Sequence, residues 1–409
     1  MVATGKALHN GWTAVSSAEA TVFTIIVNYW ADNSVHEAVW LTVFMVFCVG
    51  LFFLPNKYFV WYEYFAGLLK IFGLIIVIIT SIVIVAGGGP TGRVHTGEYW
   101  RNLPVFANGF QGFSSCMLLA LWAVGDQVFV GILNGEAESP RISMAHATKL
   151  IPYRNALLYM ISVVFCTLLV PLNDERLFGG QGAAASPFVI AMNDAGIKGV
   201  PDFFNVVIMI GIAGVAVESI YISSRVLRAM AEQGLIPRFL AAVDKRGRPR
   251  WSLAITLAIA VMLTYINLSN TGAVVFTWLS SITSSSFFIV WMVICLTSWR
   301  FRAALKAQND PLFRDLYAYQ CWAWPLPTIW LSGSSTASVY SFFQYMIGVV
   351  IVVAFTVLHK ICYRTKFQDA ATADLRTGRH TLTVTEITML DAYYQMPTWR
   401  RFLSYVKGT

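Results

Sequence analysis

Charge is what this sequence has least of. Only 12% of its 409 residues are Asp, Glu, Lys or Arg, about half the share of a soluble domain. With 57% apolar residues and a mean hydropathy of +0.61, that scarcity excludes an ordinary water-soluble globule. Sustained alternation of apolar and polar residues is missing too, which excludes an outer-membrane barrel. Long continuous apolar runs leave one class, an all-α polytopic membrane protein.

Catalytic equipment is equally sparse. None of the six histidines (9, 36, 95, 146, 359, 380) lies in the interior of a full apolar run; His36 stands at the edge of one. The six cysteines form no close pair, so neither a disulfide framework nor a zinc site follows. No nucleophile–base pair or metal-ligand cluster stands out, and neither enzyme, cofactor nor metal is expected. "GGGPTGRVH" has the glycines of a phosphate loop without its Gly-Lys-Ser/Thr ending. The opening "MVATGKALHNGW" is too polar for a signal peptide. The net charge of +8 comes from basic residues crowded between apolar runs, which reads as membrane topology rather than nucleic-acid binding.

Nine apolar runs of spanning length are present, near 17–32, 36–54, 62–86, 112–133, 155–172, 203–223, 251–268, 273–298 and 341–358. Loops 134–154, 224–250 and 299–318 are rich in Lys and Arg, whereas 87–111 and 173–202 are poor. The rich set should be cytoplasmic. The basic segment 359–409 should be a cytoplasmic tail. One span, 341–358, between it and the loop at 299–318 gives the wrong parity, and "PLPTIWLSGSSTASVY" is where a crossing is short.

Polar residues inside the runs are few. Gly125, Asp126 and Gln127 interrupt "LALWAVGDQVFVGILNGEAESPR". Such a break exposes backbone dipoles to a buried ligand, as in many secondary transporters; the alternative is an acid paired across helices for packing. Glu218 faces either a water-filled cavity or, by snorkelling, the interface. Lys70 suits proton coupling, since a buried ammonium shifts its pKa readily, or else a structural ion pair. Glu19 lies near the start of a run and Glu63 at the mouth of another. The serines of "TWLSSITSSSFFIVW" read first as a helix-packing stripe.

Several stretches, in this order, resemble the fungal amino-acid permeases of the amino acid–polyamine–organocation superfamily. They are "GGGPTG" with "EYW" (87–100), "GEAESPR" (135–141), "AAASPFVIA" (183–191), "IYISSRVLRAMAEQGLIP" (220–237), "VDKRGRP" (243–249) and "DLRTGR" (374–379). The resemblance implies a fold of two inverted five-helix repeats plus two spans, and proton symport of an amino acid by alternating access. It aligns the first run here with the family's third span and the fourth with its sixth, whose break contacts substrate. It thereby implies that Gly125, Asp126 and Gln127, with Glu19, bind substrate, and that Lys70 couples protons. Glu218 stands where relatives often have a small polar residue, and its place within a run makes it a further substrate-binding candidate.

The chain also departs from the family. Where relatives carry Ser-Phe-Ala-Gly-Thr-Glu it has "WAVGDQ" (122–127). Counterparts of the first two spans and most of the eleventh are not found, so an incomplete transporter domain over 1–358 is expected. The alternative is a non-transporting nutrient sensor or an inert remnant. The expected surroundings are a lipid bilayer, that of the plasma membrane, with an amino acid and protons as partners and no nucleic acid.

Overall fold

The computed structural model describes residues 2–31, 34–104, 140–179, 186–245, 247–269, 272–310, 369–375 and 384–397, with single positions between them. Among these the elements are helical: α1 (Val2–Ala31), α2 (Glu37–Phe53), α3 (Asn56–Val85), short α4 (Glu98–Asn102), α5 (Pro140–Leu169), short α6 (Glu175–Gly179), α7 (Pro187–Asp194), α8 (Val200–Glu232), α9 (Arg250–Tyr265), α10 (Gly272–Ala307) and α11 (Val384–Gln395). Parts of α3, α5, α8 and α10 are long and apolar enough to cross a membrane. The protein is an all-α polytopic membrane protein. Runs 112–133 and 341–358 lie largely outside the described residues.

Local chemistry sets the helix ends. His36 caps α2 by accepting from Ala38 N at 3.2 Å, and Pro55 separates α2 from α3. Gly87, at φ +82°, turns the chain out of α3, a conformation that side chains with a Cβ resist. Pro249 precedes α9. Pro152 lies inside α5, at the point where its apolar window, Leu150–Leu169, begins.

The helices overrun the apolar runs in the sequence. Hydropathy marks only the part of a helix meant for hydrocarbon, while backbone bonds carry the helix further. The clearest case is α1, which was expected to start near residue 17 and instead begins at Val2. Its inner half is polar yet buried, because its neighbours are other helices rather than lipid. Thr13, Ser16, Thr21 and Thr24 each turn a hydroxyl back onto a carbonyl three or four residues earlier, which satisfies a group that would otherwise be costly in the membrane.

Around α1 pack α8, α9 and α10. Trp30 Nε1 donates to Asp202 Oδ1 at 3.0 Å at one end of α8; Thr13 and Ser223 hydroxyls meet at 2.8 Å at the other. The two helices are therefore antiparallel along most of their length. Ser17 Oγ donates to Ala260 O of α9 at 3.3 Å, and Thr283 of α10 donates to Gly11 O at 3.2 Å. Trp12 meets Phe287 edge-on at 5.2 Å. The serine stripe of α10 is buried and Ser280, Ser281 and Ser285 bond to their own helix, so the stripe serves packing.

Two ion-pair clusters hold loops at opposite ends. In the loop 233–249, Asp244 accepts from Arg248 at 3.0 Å and from Arg250 at 3.4 Å, while Arg248 also donates to Phe52 O at the end of α2. A single cysteine placed at Lys245 should resist a membrane-impermeant thiol reagent in intact cells, since this loop belongs to the basic set. Labelling there would invert the topology. In the loop between α5 and α8, Arg176 bonds Asp174 at 2.8 Å and Asp194 at 2.7 Å, tying α6 to α7. These bonds hold the Asp174 carboxyl below its usual range. Arg176→Gln is expected to raise amide hydrogen exchange over α6 and α7 at neutral pH. In the parent the same loosening should begin only as pH drops below about 3.9, the ordinary aspartate value, because a group held low contributes above that value and loses the contribution on the way down. Equal exchange in both proteins would remove the brace.

Residues 369–375 dock on the far end of α10. Leu375 packs with Ala304 and Leu305, and Gln308 Nε2 donates to Ala370 O at 3.2 Å and Ala373 O at 2.8 Å. This part of the C-terminal segment thus sits at the same end of the bundle as the basic residues 300–306.

Candidate functional site

The face of α8 that meets α3 carries Val207, Gly211, Gly214 and Glu218, spaced by four, three and four residues, which is one helix face. Opposite them α3 presents Gly73, Lys70 and Glu63 on its own face. Val207 fills the space at Gly73. The two glycines of α8 leave shallow notches, and long side chains from α3 lie in them. A methyl group on Gly211 would stand 3.4 Å from the Lys70 stem; one on Gly214 would stand 3.2 Å from Glu63 Oε1 and 3.5 Å from Oε2. Lys70 and Glu63 therefore rest nearly on the α8 backbone. Tyr62 closes the same seam by donating to Ile210 O at 2.8 Å.

Toward the end of α8 that bears its basic residues, the seam continues through Glu218. Beyond it Phe59 stacks on Tyr221 with ring centres 5.0 Å apart, and the Arg225 guanidinium lies 3.2 Å over the Tyr221 ring. A pocket opens here, lined by Phe59, Tyr221, Arg225 and Arg248 among others.

Glu19 occupies a different wall. Its apolar run put it near the start of a span. It lies instead well inside α1, 6% exposed between the fully buried Ala18 and Ala20. The displacement has the cause given above: α1 starts fifteen or so residues earlier than its apolar run, roughly four turns. The contacts at Trp30 and Thr13 set the register of α1 on α8, which brings Glu19 level with the turn around Gly214. Lys70 lies within electrostatic reach of both Glu19 and Glu63.

Of the residues singled out in the sequence, the structure thus gathers Lys70 and Glu218 on one seam, with Glu19 at the same level on α1. Gly125, Asp126 and Gln127 lie outside the described residues. Glu63 had been set aside as a residue at a span mouth. Its signal was available: it precedes Lys70 by seven residues, two turns on one face. The notches at Gly211 and Gly214 were also legible in "IMIGIAGVAVE".

The family profile for amino acid permeases matches residues 3–371. The chain belongs to the amino acid permease family. Its fungal relatives include an amino-acid permease of Candida albicans, 33% identical over 84% of this chain and 58% of that protein. The general amino-acid permease of Saccharomyces cerevisiae is 34% identical over 74% of this chain and 51% of its own length. The histidine permease of the same yeast is 31% identical over 91% of this chain and 66% of its own. This permease chain thus spans between about half and two thirds of the length of these three relatives. Family membership and the apolar helices make it an integral membrane protein.

Proposed function

We propose that this chain serves proton-coupled transport of an amino acid across the plasma membrane, by alternating access. The observation that carries the reading is Lys70, a half-buried cation midway along a spanning helix, its stem against Gly211 of α8 and Glu19 and Glu63 in electrostatic reach. A charged group at such depth is costly unless paired or solvated, and such groups commonly mark ion and proton routes. Lys70 is the proton-coupling residue. Glu19 and Glu218, with the Gly125–Asp126–Gln127 break, contact the substrate. Relatives are named for amino acids in general, for histidine and for S-adenosylmethionine, so an α-amino acid or a close derivative is the substrate class.

The test is uptake of a radiolabelled amino-acid mixture by the purified chain in liposomes, with and without an inward proton gradient. Saturable uptake that rises with the gradient is the expected result. Equal uptake with and without the gradient would remove proton coupling. No uptake, with specific amino-acid binding retained, would favour a non-transporting sensor.

A further inference from the structure

We propose that Glu63 is a second proton-carrying carboxyl, and that Glu63 and Glu19 share one exchangeable proton about Lys70. The idea rests on the proton-coupled reading above and adds a residue and a charge count to it.

Geometry comes first. Glu63 Oε1 is wholly enclosed and has no hydrogen-bond partner among the described residues. Its carboxyl group lies in the Gly214 notch, where even a methyl would press on it. Lys70 lies in the next notch along the same seam, at Gly211. The ionisable groups that face Glu63 are Lys70 and Tyr62 on α3 itself, with Cys48 of α2 in electrostatic reach of Tyr62. By helix register Glu218 stands one turn from the Gly214 notch on α8, and Glu19 is level with it on α1. Helices α5 and α7 pack on the outer half of α3, around Val77 and Ile84, so Asp194 and its partner Arg176 are remote from it.

Charge balance follows. One ammonium cannot neutralise two carboxylates. With all three groups ionised, the trio of buried Glu19 and half-buried Glu63 and Lys70 carries a net negative charge, which the low-dielectric interior of a membrane protein disfavours. The trio is electroneutral when one carboxyl keeps its proton. That proton has two homes, and Lys70 pairs with whichever carboxylate is bare. Glu63 is the home on the α3–α8 seam, in the Gly214 notch, with Glu218 one turn further along α8. On release, the Glu63 O–H bond breaks and water on that side takes the proton, while the Glu19 carboxylate gains a proton from water on the other side; Lys70 turns from Glu19 to the bare Glu63 carboxylate, and the trio stays electroneutral. Reloading reverses the step.

The experiment is an infrared pH titration of the whole chain in lipid nanodiscs, which reads protonated carboxyls directly and needs no substrate. Difference spectra against Glu63→Gln should show the parent losing one protonated-carboxyl band. Lys70→Met should gain one, because neither acid then has a cation beside it. Gly214→Ala leaves all three charges in place and should move the band without changing its area, a check that does not depend on altering Glu63. An unchanged carboxyl band in Glu63→Gln, or no gain in Lys70→Met, would overturn the proposal. Liposome uptake separates this from the transport reading. If the band pattern holds and the parent shows no gradient-driven uptake, the shared proton stands and the transport reading fails. If the parent accumulates substrate and Glu63→Gln accumulates it equally, the proposal fails and transport stands.

Discussion

Gly11→Ala is expected to destabilise the protein by about 1–3 kcal/mol, the usual cost of overpacking a tight interface. A Cβ at residue 11 would stand 2.9 Å from Ser286 Cβ. That atom is fixed to the α10 backbone and cannot rotate away, so α1 and α10 must part. Parting also strains the bond from Thr283 Oγ1 to Gly11 O. The compensating change is Ser286→Gly, which vacates the space the methyl needs. Thermal unfolding of the purified chain in detergent should show a lowered midpoint for Gly11→Ala and partial recovery in the double variant. A single variant as stable as the parent would mean that the helices are not held together at this point.

Lys70→Met should leave the protein folded and remove its response to a proton gradient. Leaving a fully buried charge without its counter-charge ordinarily costs about 3–5 kcal/mol. Here Glu19 and Glu63 can each take up a proton, so the cost to stability should fall below that range. Proton transfer is another matter. Loss of a positioned acid–base group typically lowers rates by roughly 10²–10⁴-fold, and gradient-driven accumulation in liposomes should fall correspondingly. Accumulation that kept its full dependence on the gradient would exclude Lys70 from the coupling step.

The spans were the most legible part of the sequence, because hydrocarbon demands continuous apolar residues and the chain supplies them. The runs at 36–54, 62–86 and 251–268 reappear as α2, α3 and α9 with shifts of a few residues at most ends. Interior helices defeat the same logic. In α1, Lys6, His9, Asn10, Thr13, Ser16 and Ser17 read as a polar lead-in, although most of them are buried against α8, α9 and α10. A hydropathy reading assumes lipid neighbours, and α1 has few. The error over Glu19 came directly from it. Within one helix the site was readable: seven residues separate Glu63 from Lys70, and three separate Gly211 from Gly214. What no spacing discloses is which helix faces which. The pairing of the α3 charges with the α8 notches, and the level of Glu19 against Gly214, depend on contacts more than a hundred residues apart in the chain.

The notch at Gly214 also has a mechanical meaning. At 1.5 Å per residue, α8 is a rod of about 50 Å, against a hydrocarbon slab of about 30 Å. Gly214 stands near its middle, so the rod has two arms of comparable length. If α8 tilts about that turn by about 10°, simple leverage carries the Arg228 end through about 4 Å while the glycine backbone hardly moves. The groups resting at the fulcrum keep their spacing, while the Tyr221 ring and the Arg225 guanidinium, carried on the moving arm, slide across the Phe59 ring that α3 holds still.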